Sequence, residues 1–306
     1  MQIYTTTEYY SPAPCVVALG CFDGVHKGHA EVIRSARKVA DIRGLPLCVF
    51  TFEAPPRNYF LPSSVPLITD AAEKLRILEE MGIDVALCLP LQEEIFSITA
   101  EDFISNILAG RLRAVHAVCG FNYTFGARGA GNATLLQEYG ARFGIGVTTV
   151  PEFKLEGAFV SSSAVREAVT RGDVETAQKY LGRPFFLRAV VVNGQHLARK
   201  LGFPTVNITP KEGLLLPKNG VYLTKVRFDG TEKYGITNVG VRPTVNTRLL
   251  CAETHIFDFD KDLYGKEIKV EFIKFIRPEQ KFPSVEAMAE QIRRDIKTAK
   301  DMLTSM

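Results

Sequence analysis

The chain contains 306 residues with a formal net charge of +3, and 46% of its residues are hydrophobic. This length can form two domains with separate cores, and the apolar content is ordinary for a soluble globular protein. The small net charge gives no reason to expect a nucleic-acid partner, and the lack of a leader-like N-terminus or a bilayer-length apolar run argues against a membrane partner.

Six cysteines are spread singly along the chain, in or beside apolar runs and without CxxC pairs. This spacing predicts buried free thiols in a reducing compartment. We therefore expect a cytoplasmic protein.

The first half alternates apolar runs with helix-like segments. The runs cover residues 16–19, 47–52, 85–89 and 115–119. Helix starts are predicted near Asp70 and near Thr99, each followed three residues later by an acidic residue, and the second helix should end before Gly110. This rhythm predicts a parallel sheet covered by helices, with ligands bound at the carboxyl ends of its strands.

The string GCFDGVHKGH, residues 20–29, lies between the first of these strands and a helix predicted over 30–39. Glycines allow close approach of the backbone to a phosphate, a helix N-terminus offers unpaired N–H groups, and the two imidazoles add donors. For the histidine pair alone, a glycine turn with two surface histidines is the simpler interpretation. Zinc is disfavoured because no Cys, Asp or third His at a helpful spacing completes a tetrahedral site. The whole string predicts a triphosphate site.

After Pro184 the pattern changes to short runs rich in β-branched and aromatic residues, at 186–192, 220–228, 234–239, 253–259 and 268–275. Their spacing, with an Asp229-Gly230 hairpin step, predicts a small antiparallel barrel. A terminal helix should follow, capped by Ser284, with an apolar stripe formed by Val285, Met288, Ile292, Ile296 and Ala299. We predict two domains, 1–184 and 185–306.

The first half also carries motifs that resemble a known family. The string at 20–29 is similar to the HxGH signature of nucleotidylyltransferases, in the GxFDGxHxGH form found in the FAD synthetase half of bacterial bifunctional riboflavin kinase/FMN adenylyltransferases. SSSAVR at 161–166 resembles the SSTxxR motif, although a serine cluster alone is usually a helix cap. GFNYTFG at 120–126 resembles the GxDFxFG segment. FEAPPR at 52–57 resembles FxPxP, with Ala54 in place of the first proline.

The resemblance implies a Rossmann-like nucleotidylyltransferase domain that transfers AMP from ATP to the phosphate of FMN. It implies electrostatic catalysis by His26, His29 and Arg166. Nucleotide binding would then involve Gly20, Phe22, Asp23, Gly28, Ser162 and Ser163, and flavin binding would involve Arg57 and Asn122.

The second half resembles riboflavin kinases. GQHLARKLGFPTVN at 194–207 is similar to GRxLGFPTAN, with Ala198 where the family has glycine, and matching landmarks occur at 240–244, 263–266 and 275–278. The resemblance implies that Thr205 and Asn207 hold Mg²⁺ with ATP, since hydroxyl and amide oxygens suit this ion. It places the catalytic base at Glu253 and a flavin contact at Arg277. The resemblance also implies nucleotide binding by Arg199, Lys200, Gly202 and Pro204.

These matches predict a bifunctional enzyme that uses riboflavin, FMN and ATP. Neither a P-loop nor a GxGxxG fingerprint is present, which argues against P-loop and nicotinamide enzymes. One alternative is an enzyme with one impaired half, suggested by Ala54 and Ala198. Another is a flavin-binding regulator or carrier, although simple binding does not need a positioned base such as Glu253. A weak homo-oligomer is a further expectation.

Overall fold

The computed structural model describes residues 1–61, 63–192, 202–243 and 248–306. The chain divides into two compact units, Met1–Ser162 and Ser163–Met306. The domain boundary after residue 184 stays a prediction.

A six-stranded parallel sheet forms the centre of the first unit. All its neighbouring strands pair in the parallel sense, which confirms the prediction. Every residue of the inner strand Cys15–Leu19 is buried, because helices of this unit and the adjoining strands supply the surrounding core. From edge to edge the strands are Gln2–Tyr4, Val85–Leu89, Leu47–Phe52, Cys15–Leu19, Ala114–Gly120 and Gly146–Val150.

The predicted helix caps are observed. Asp70 accepts a hydrogen bond from Glu73 N at 2.8 Å before helix Ala71–Glu80, and Thr99 accepts one from Asp102 N at 3.0 Å. The prediction that the second helix ends before Gly110 was wrong. Helix Ala100–Asp102 continues as π-helix Phe103–Arg111, because its apolar face is buried in the core and packing outweighs the glycine signal. The other α-helices described in this unit are Lys27–Arg43, Arg57–Phe60, Glu93–Phe96 and Ala133–Arg142, and a short 3-10 helix covers Ala127–Gly129.

The second unit contains a closed antiparallel barrel preceded by two helices, Ser162–Arg171, which starts at the unit boundary, and Val174–Leu181. Five of its strands contain or overlap the predicted runs, while the short strand Val206–Ile208 was not predicted. Around the barrel the strands are Phe185–Val192, Val206–Ile208, Arg248–Ile256, Thr231–Pro243, Gly220–Phe228 and Glu267–Pro278.

The C-terminal helix Val285–Thr304 packs on the outside of this barrel. Ser284 caps it by accepting a hydrogen bond from Ala287 N at 3.2 Å, as predicted. Ala299 is buried against barrel residues, with Ile292 and Ile296 beside it. Val285 is exposed, so the predicted apolar stripe begins later than expected, past the first residue of the helix.

All six cysteines are free thiols, and only Cys21 is not fully buried. Burial raises the pKa of Cys119 to about 11 and also raises the pKa of Cys88, so both thiols stay protonated and unreactive at neutral pH. Within the described ranges, none of the helices has the length and apolar character that a membrane span requires.

Candidate active sites

The turn at residues 20–29, called here the HxGH turn, has an unusual backbone. Phe22 and Val25 adopt positive φ values of 53° and 39°, and Gly24 lies at 76°. A β-branched residue such as Val25 rarely adopts this conformation, and such strain is concentrated at functional sites. The turn therefore has the local geometry expected of a site rather than of a simple connection.

The two histidines stack at the start of helix Lys27–Arg43. His26 caps the helix, since its Nδ1 accepts a hydrogen bond from His29 N at 3.2 Å, and the neutral ring therefore carries its proton on Nε2. The rings of His26 and His29 lie 3.6 Å apart at 15°. A Cβ on Gly28 would lie 3.1 Å from His26 Cε1, so glycine lets this ring lie close to the backbone. The pair thus lies at a positive helix end, where an anion is stabilised.

Two residues predicted to bind nucleotide, Phe22 and Asp23, have side chains that build the turn itself. Phe22 is buried, and its ring occupies the space that a Cβ on Gly20 would need. The Asp23 carboxylate is also buried and accepts hydrogen bonds from Ile68 N at 3.0 Å and Thr69 N at 3.3 Å. Their contribution in the structure is to shape the turn, and direct nucleotide contact stays a prediction.

The serine motif lies at the start of helix Ser162–Arg171, as predicted. Ser162 Oγ donates to the Asp23 carbonyl at 3.0 Å, a contact between two residues of the first unit. Ser163 is exposed, and Arg166 is buried one helical turn after Ser162. Ser163 and Arg166 belong to the second unit, and their role in the site stays a prediction.

The two predicted flavin residues of the first unit follow strand ends. Arg57 begins helix Arg57–Phe60 after strand Leu47–Phe52, and Asn122 follows strand Ala114–Gly120. Both side chains are exposed. Sequence reasoning missed an aromatic cluster beside Arg57, in which Tyr59 and Phe60 lie 4.7 and 5.0 Å from the Phe96 ring. Tyr59 and Phe60 are exposed on this surface.

In the barrel, strand register aligns the predicted residues. Going from strand to strand, Arg277 pairs with Val221, Val221 with Asn238, Asn238 with Glu253, and Glu253 with Asn207. Directly opposed residues in antiparallel strands point to the same face of the sheet. Arg277, Asn238, Glu253 and Asn207 therefore form one line across neighbouring strands, called here the cross-strand row. Asn238 was missed because its sequence context carries no motif.

Thr205 and Glu253 are in direct contact within this region. Thr205 Oγ1 donates a hydrogen bond to Glu253 Oε1 at 2.7 Å. Because the hydroxyl proton points to the carboxylate, the Thr205 oxygen keeps its lone pairs for a cation. Asn207 is only 2% exposed, and its Oδ1 accepts a weak hydrogen bond from Cys251 Sγ at 3.6 Å.

These oxygen donors fit magnesium better than a softer metal. A hydroxyl, an amide carbonyl and a carboxylate are hard ligands of the kind that Mg²⁺ prefers. In the described part of the chain, no group of three or more His, Cys, Asp or Glu residues could hold a metal ion. The candidate metal site therefore depends on Thr205 and Asn207, with Glu253 beside them.

A cavity of about 260 Å³ lies between the cross-strand row and the C-terminal helix. Glu253, Asn238 and Arg277 contribute polar groups, while Phe203 and Ile292 contribute apolar surface. A second cavity of about 100 Å³ includes Pro204, Thr205 and Tyr264 in its lining. Thr205 thus lies between the two cavities, where two ligands can meet.

Two of the predicted nucleotide positions of this half, Arg199 and Lys200, lie outside the described residues, as does Ala198. Gly202 is exposed with φ of 84°, a conformation that suits glycine. His255 Nδ1 donates a hydrogen bond to the Pro204 carbonyl at 2.9 Å. This contact fixes the chain just before Thr205.

Arg277 is held by an ion pair with the C-terminal helix. Its Nε lies 2.9 Å from Asp295 Oδ1 and its Nη2 lies 2.7 Å from Asp295 Oδ2. Asp295 is 3% exposed, and Gln291 Nε2 donates to it at 2.9 Å. The pair links the end of the cross-strand row to the helix that closes the larger cavity.

Replacement Asp295→Asn should destabilise the second unit, because it leaves the guanidinium of Arg277 without its carboxylate. Breaking a buried ion pair by removing one partner costs about 3–5 kcal/mol. Calorimetric unfolding should show a lower transition temperature. Asp301→Asn, an exposed position on the same helix, is the control. Equal stability of the two variants would contradict a structural role for the pair.

Two family models match the two halves of the chain. A family model described as FAD synthetase matches residues 9–164, and one described as riboflavin kinase matches residues 181–303. The chain belongs to the bifunctional riboflavin kinase/FMN adenylyltransferase family. It therefore combines two transferase activities, a kinase and an adenylyltransferase, in one polypeptide.

Relatives of this family match along nearly the whole chain. The bifunctional riboflavin kinase/FMN adenylyltransferase of Haemophilus influenzae is 36% identical, with 95% of each chain covered. The protein of the same name from Escherichia coli strain K12 is 37% identical over 98% of this chain and 97% of its own. A crystal structure named as a macrolide-efflux protein from Streptococcus pneumoniae is 31% identical, with a TM-score of 0.91, and covers 98% of this chain and 99% of that one.

Proposed function

We propose that the cross-strand row and Thr205 carry out riboflavin phosphorylation, and that the HxGH turn carries out adenylylation of FMN. The observation that supports the first assignment most directly is the 2.7 Å contact between Thr205 and Glu253 at the wall of the larger cavity. It brings a candidate metal ligand to a candidate base. A carrier would need the cavity but not this arrangement.

In the kinase half, the larger cavity holds riboflavin with its ribityl end near Glu253. The terminal alcohol is a poor nucleophile until a base accepts its proton. The Glu253 carboxylate does so as the oxygen attacks the γ-phosphorus of ATP, and the bond from this phosphorus to the bridging oxygen breaks to release ADP. Thr205 and Asn207 would hold Mg²⁺, which supplies charge neutralisation at the ATP phosphates when bound. Arg277 and Asn238 orient the flavin from the same row.

In the adenylyltransferase half, the FMN phosphate is itself the nucleophile, so no covalent enzyme intermediate is required. Catalysis consists of aligning this phosphate with the α-phosphorus of ATP and stabilising the departing pyrophosphate. The stacked His26 and His29 supply donors at the positive end of their helix. The motif resemblance adds Ser163 and Arg166 as further candidates for phosphate binding.

The exposed aromatic surface beside Arg57 suits the flavin of this half. Tyr59 and Phe60 offer ring faces and edges to a planar isoalloxazine, while Arg57 and Asn122 offer polar contacts. Stacking on such rings favours a large flat ligand over a small phosphate compound. The aromatic cluster therefore supports FMN as the acceptor of the adenylyl group.

Replacement Thr205→Val tests the kinase site. The valine keeps the shape of the side chain but removes the oxygen, so riboflavin phosphorylation should require much more magnesium or fail. The measurement is FMN formation across a magnesium titration, with the flavins separated after incubation with riboflavin and ATP. Adenylylation of supplied FMN should persist as the internal control. An unchanged magnesium dependence would exclude Thr205 as a ligand.

The same separation of flavins tests the rival functions. An intact bifunctional enzyme yields FAD from riboflavin, an enzyme with an inactive adenylylation site yields FMN only, and a carrier yields neither. The magnesium requirement, a cytoplasmic location and weak self-association belong to this proposal as predictions.

A further inference from the structure

Lys74 is a buried lysine next to the HxGH turn. It belongs to helix Ala71–Glu80 and is 1% exposed. Its Nζ donates hydrogen bonds to the Cys21 carbonyl at 3.2 Å and to the Phe52 carbonyl. These carbonyls lie at the carboxyl ends of two neighbouring strands of the parallel sheet, where ligands bind in such folds. One ammonium thus joins the ends of both strands.

The hydrogen-bond acceptors of the Lys74 ammonium are main-chain carbonyls. Across the ranges that the structure describes, its ammonium makes the two carbonyl hydrogen bonds and no ion pair. Burial of an ammonium without a counter-ion is costly, and removing it in favour of an apolar side chain is often tolerated by a fold. A role in stability alone therefore explains the residue poorly.

The charge of Lys74 affects the protonation of a neighbouring group. Burial raises the pKa of the Cys88 thiol. The Lys74 ammonium opposes that rise by favouring the thiolate, and the Glu53 carboxylate adds to the rise by a smaller amount. Charges in a buried region are screened weakly by salt, so their effect extends to nearby anions. The HxGH turn begins beside the ammonium, since Cys21 is its second residue.

Cys21 offers an internal comparison between charge and hydrogen bonding. Its carbonyl accepts a hydrogen bond from Lys74 and another from Thr51 Oγ1 at 2.8 Å. Thr51 is buried as well. The two donors support the same atom, but only Lys74 contributes a positive charge.

We propose that Lys74 is a positioning residue for FMN adenylylation, which holds the start of the HxGH turn and places a buried positive charge behind it that favours the polyphosphate of ATP. Lys74 does not touch the substrate and acts through the turn. The inference rests on the proposed assignment of this turn to adenylylation.

The test compares three variants of the full-length protein in FAD formation from supplied FMN. Lys74→Met keeps the side-chain length and removes the charge, and its KM for ATP should rise about tenfold, with a smaller change in kcat. Thr51→Val removes only the neutral hydrogen bond and should raise this KM by less than about threefold. Lys38→Met removes an exposed charge from helix Lys27–Arg43 and should behave as the parent.

Binding of inorganic pyrophosphate by calorimetry gives a second readout, and it should weaken in Lys74→Met alone. Near-UV circular dichroism checks the fold, with Lys74→Gln as the substitute if the methionine variant does not fold. A folded variant without the charge that keeps the parent KM for ATP overturns the proposal. So does a Thr51→Val variant as impaired as Lys74→Met. If His29→Ala, assayed in parallel, retains FAD formation, the assignment of the turn fails instead.

Discussion

Glu253→Gln should reduce riboflavin phosphorylation by about 100- to 10,000-fold, the range that general-base assistance typically contributes. In the structure the Glu253 carboxylate accepts a hydrogen bond from the Thr205 hydroxyl at 2.7 Å. Glutamine keeps the size of the side chain and an oxygen that can accept the same hydrogen bond. It removes only the basicity that the ribityl alcohol requires. Riboflavin affinity, measured by quenching of flavin fluorescence, should change little.

Two controls make this result interpretable. Glu232→Gln makes the same charge change on an exposed position of the same barrel, where the side chain pairs with Arg227, and should keep the parent rate. FAD formation from supplied FMN should continue in Glu253→Gln, because the HxGH turn is unchanged. Normal riboflavin phosphorylation in Glu253→Gln would refute the base assignment. Loss of both activities would indicate misfolding or coupled domains.

Local signals in the sequence predicted most of the secondary structure. Asp70, Thr99 and Ser284 each cap a helix as expected, because a cap depends on residues three positions apart. The HxGH turn lies between a buried strand and a helix for the same local reason. Gly110 was misleading, since burial of the surrounding apolar residues decided where that helix ends.

The positions of the site residues depend on contacts between residues that are distant in the sequence, which local patterns do not predict. The cross-strand row depends on the register of several strands, so Asn238 acquires its place only when the barrel closes. Asp295 becomes the partner of Arg277 because the C-terminal helix packs on the barrel. Lys74 donates a hydrogen bond to the Cys21 carbonyl, which lies 53 residues earlier in the chain. The Phe22 side chain is buried on a backbone of positive φ, and the Asp23 carboxylate is held by the main chain at Ile68 and Thr69, neither of which the motif reveals.

His29→Ala should reduce FAD formation from supplied FMN by about 100- to 1,000-fold, as expected for loss of one preorganised donor to a developing negative charge. His29 stacks on His26 near the N-terminus of helix Lys27–Arg43, the positive end of the helix. Arg166→Ala should have an effect of similar size if this residue belongs to the same anion site. Separation of the flavins at saturating FMN and ATP provides the rate.

The decisive feature is selectivity between the two activities. FMN formation from riboflavin should continue in both variants, since the cross-strand row and Thr205 are unchanged, so FMN should accumulate while FAD does not form. His116→Ala is a matched control, because its ring lies in strand Ala114–Gly120, bonded to Thr148 Oγ1 at 2.8 Å, and has no place in the HxGH turn. Its FAD formation should remain close to that of the parent. If His29→Ala instead lowered FMN and FAD formation by the same factor, the two reactions would share a site, and the assignment of adenylylation to the HxGH turn would be wrong.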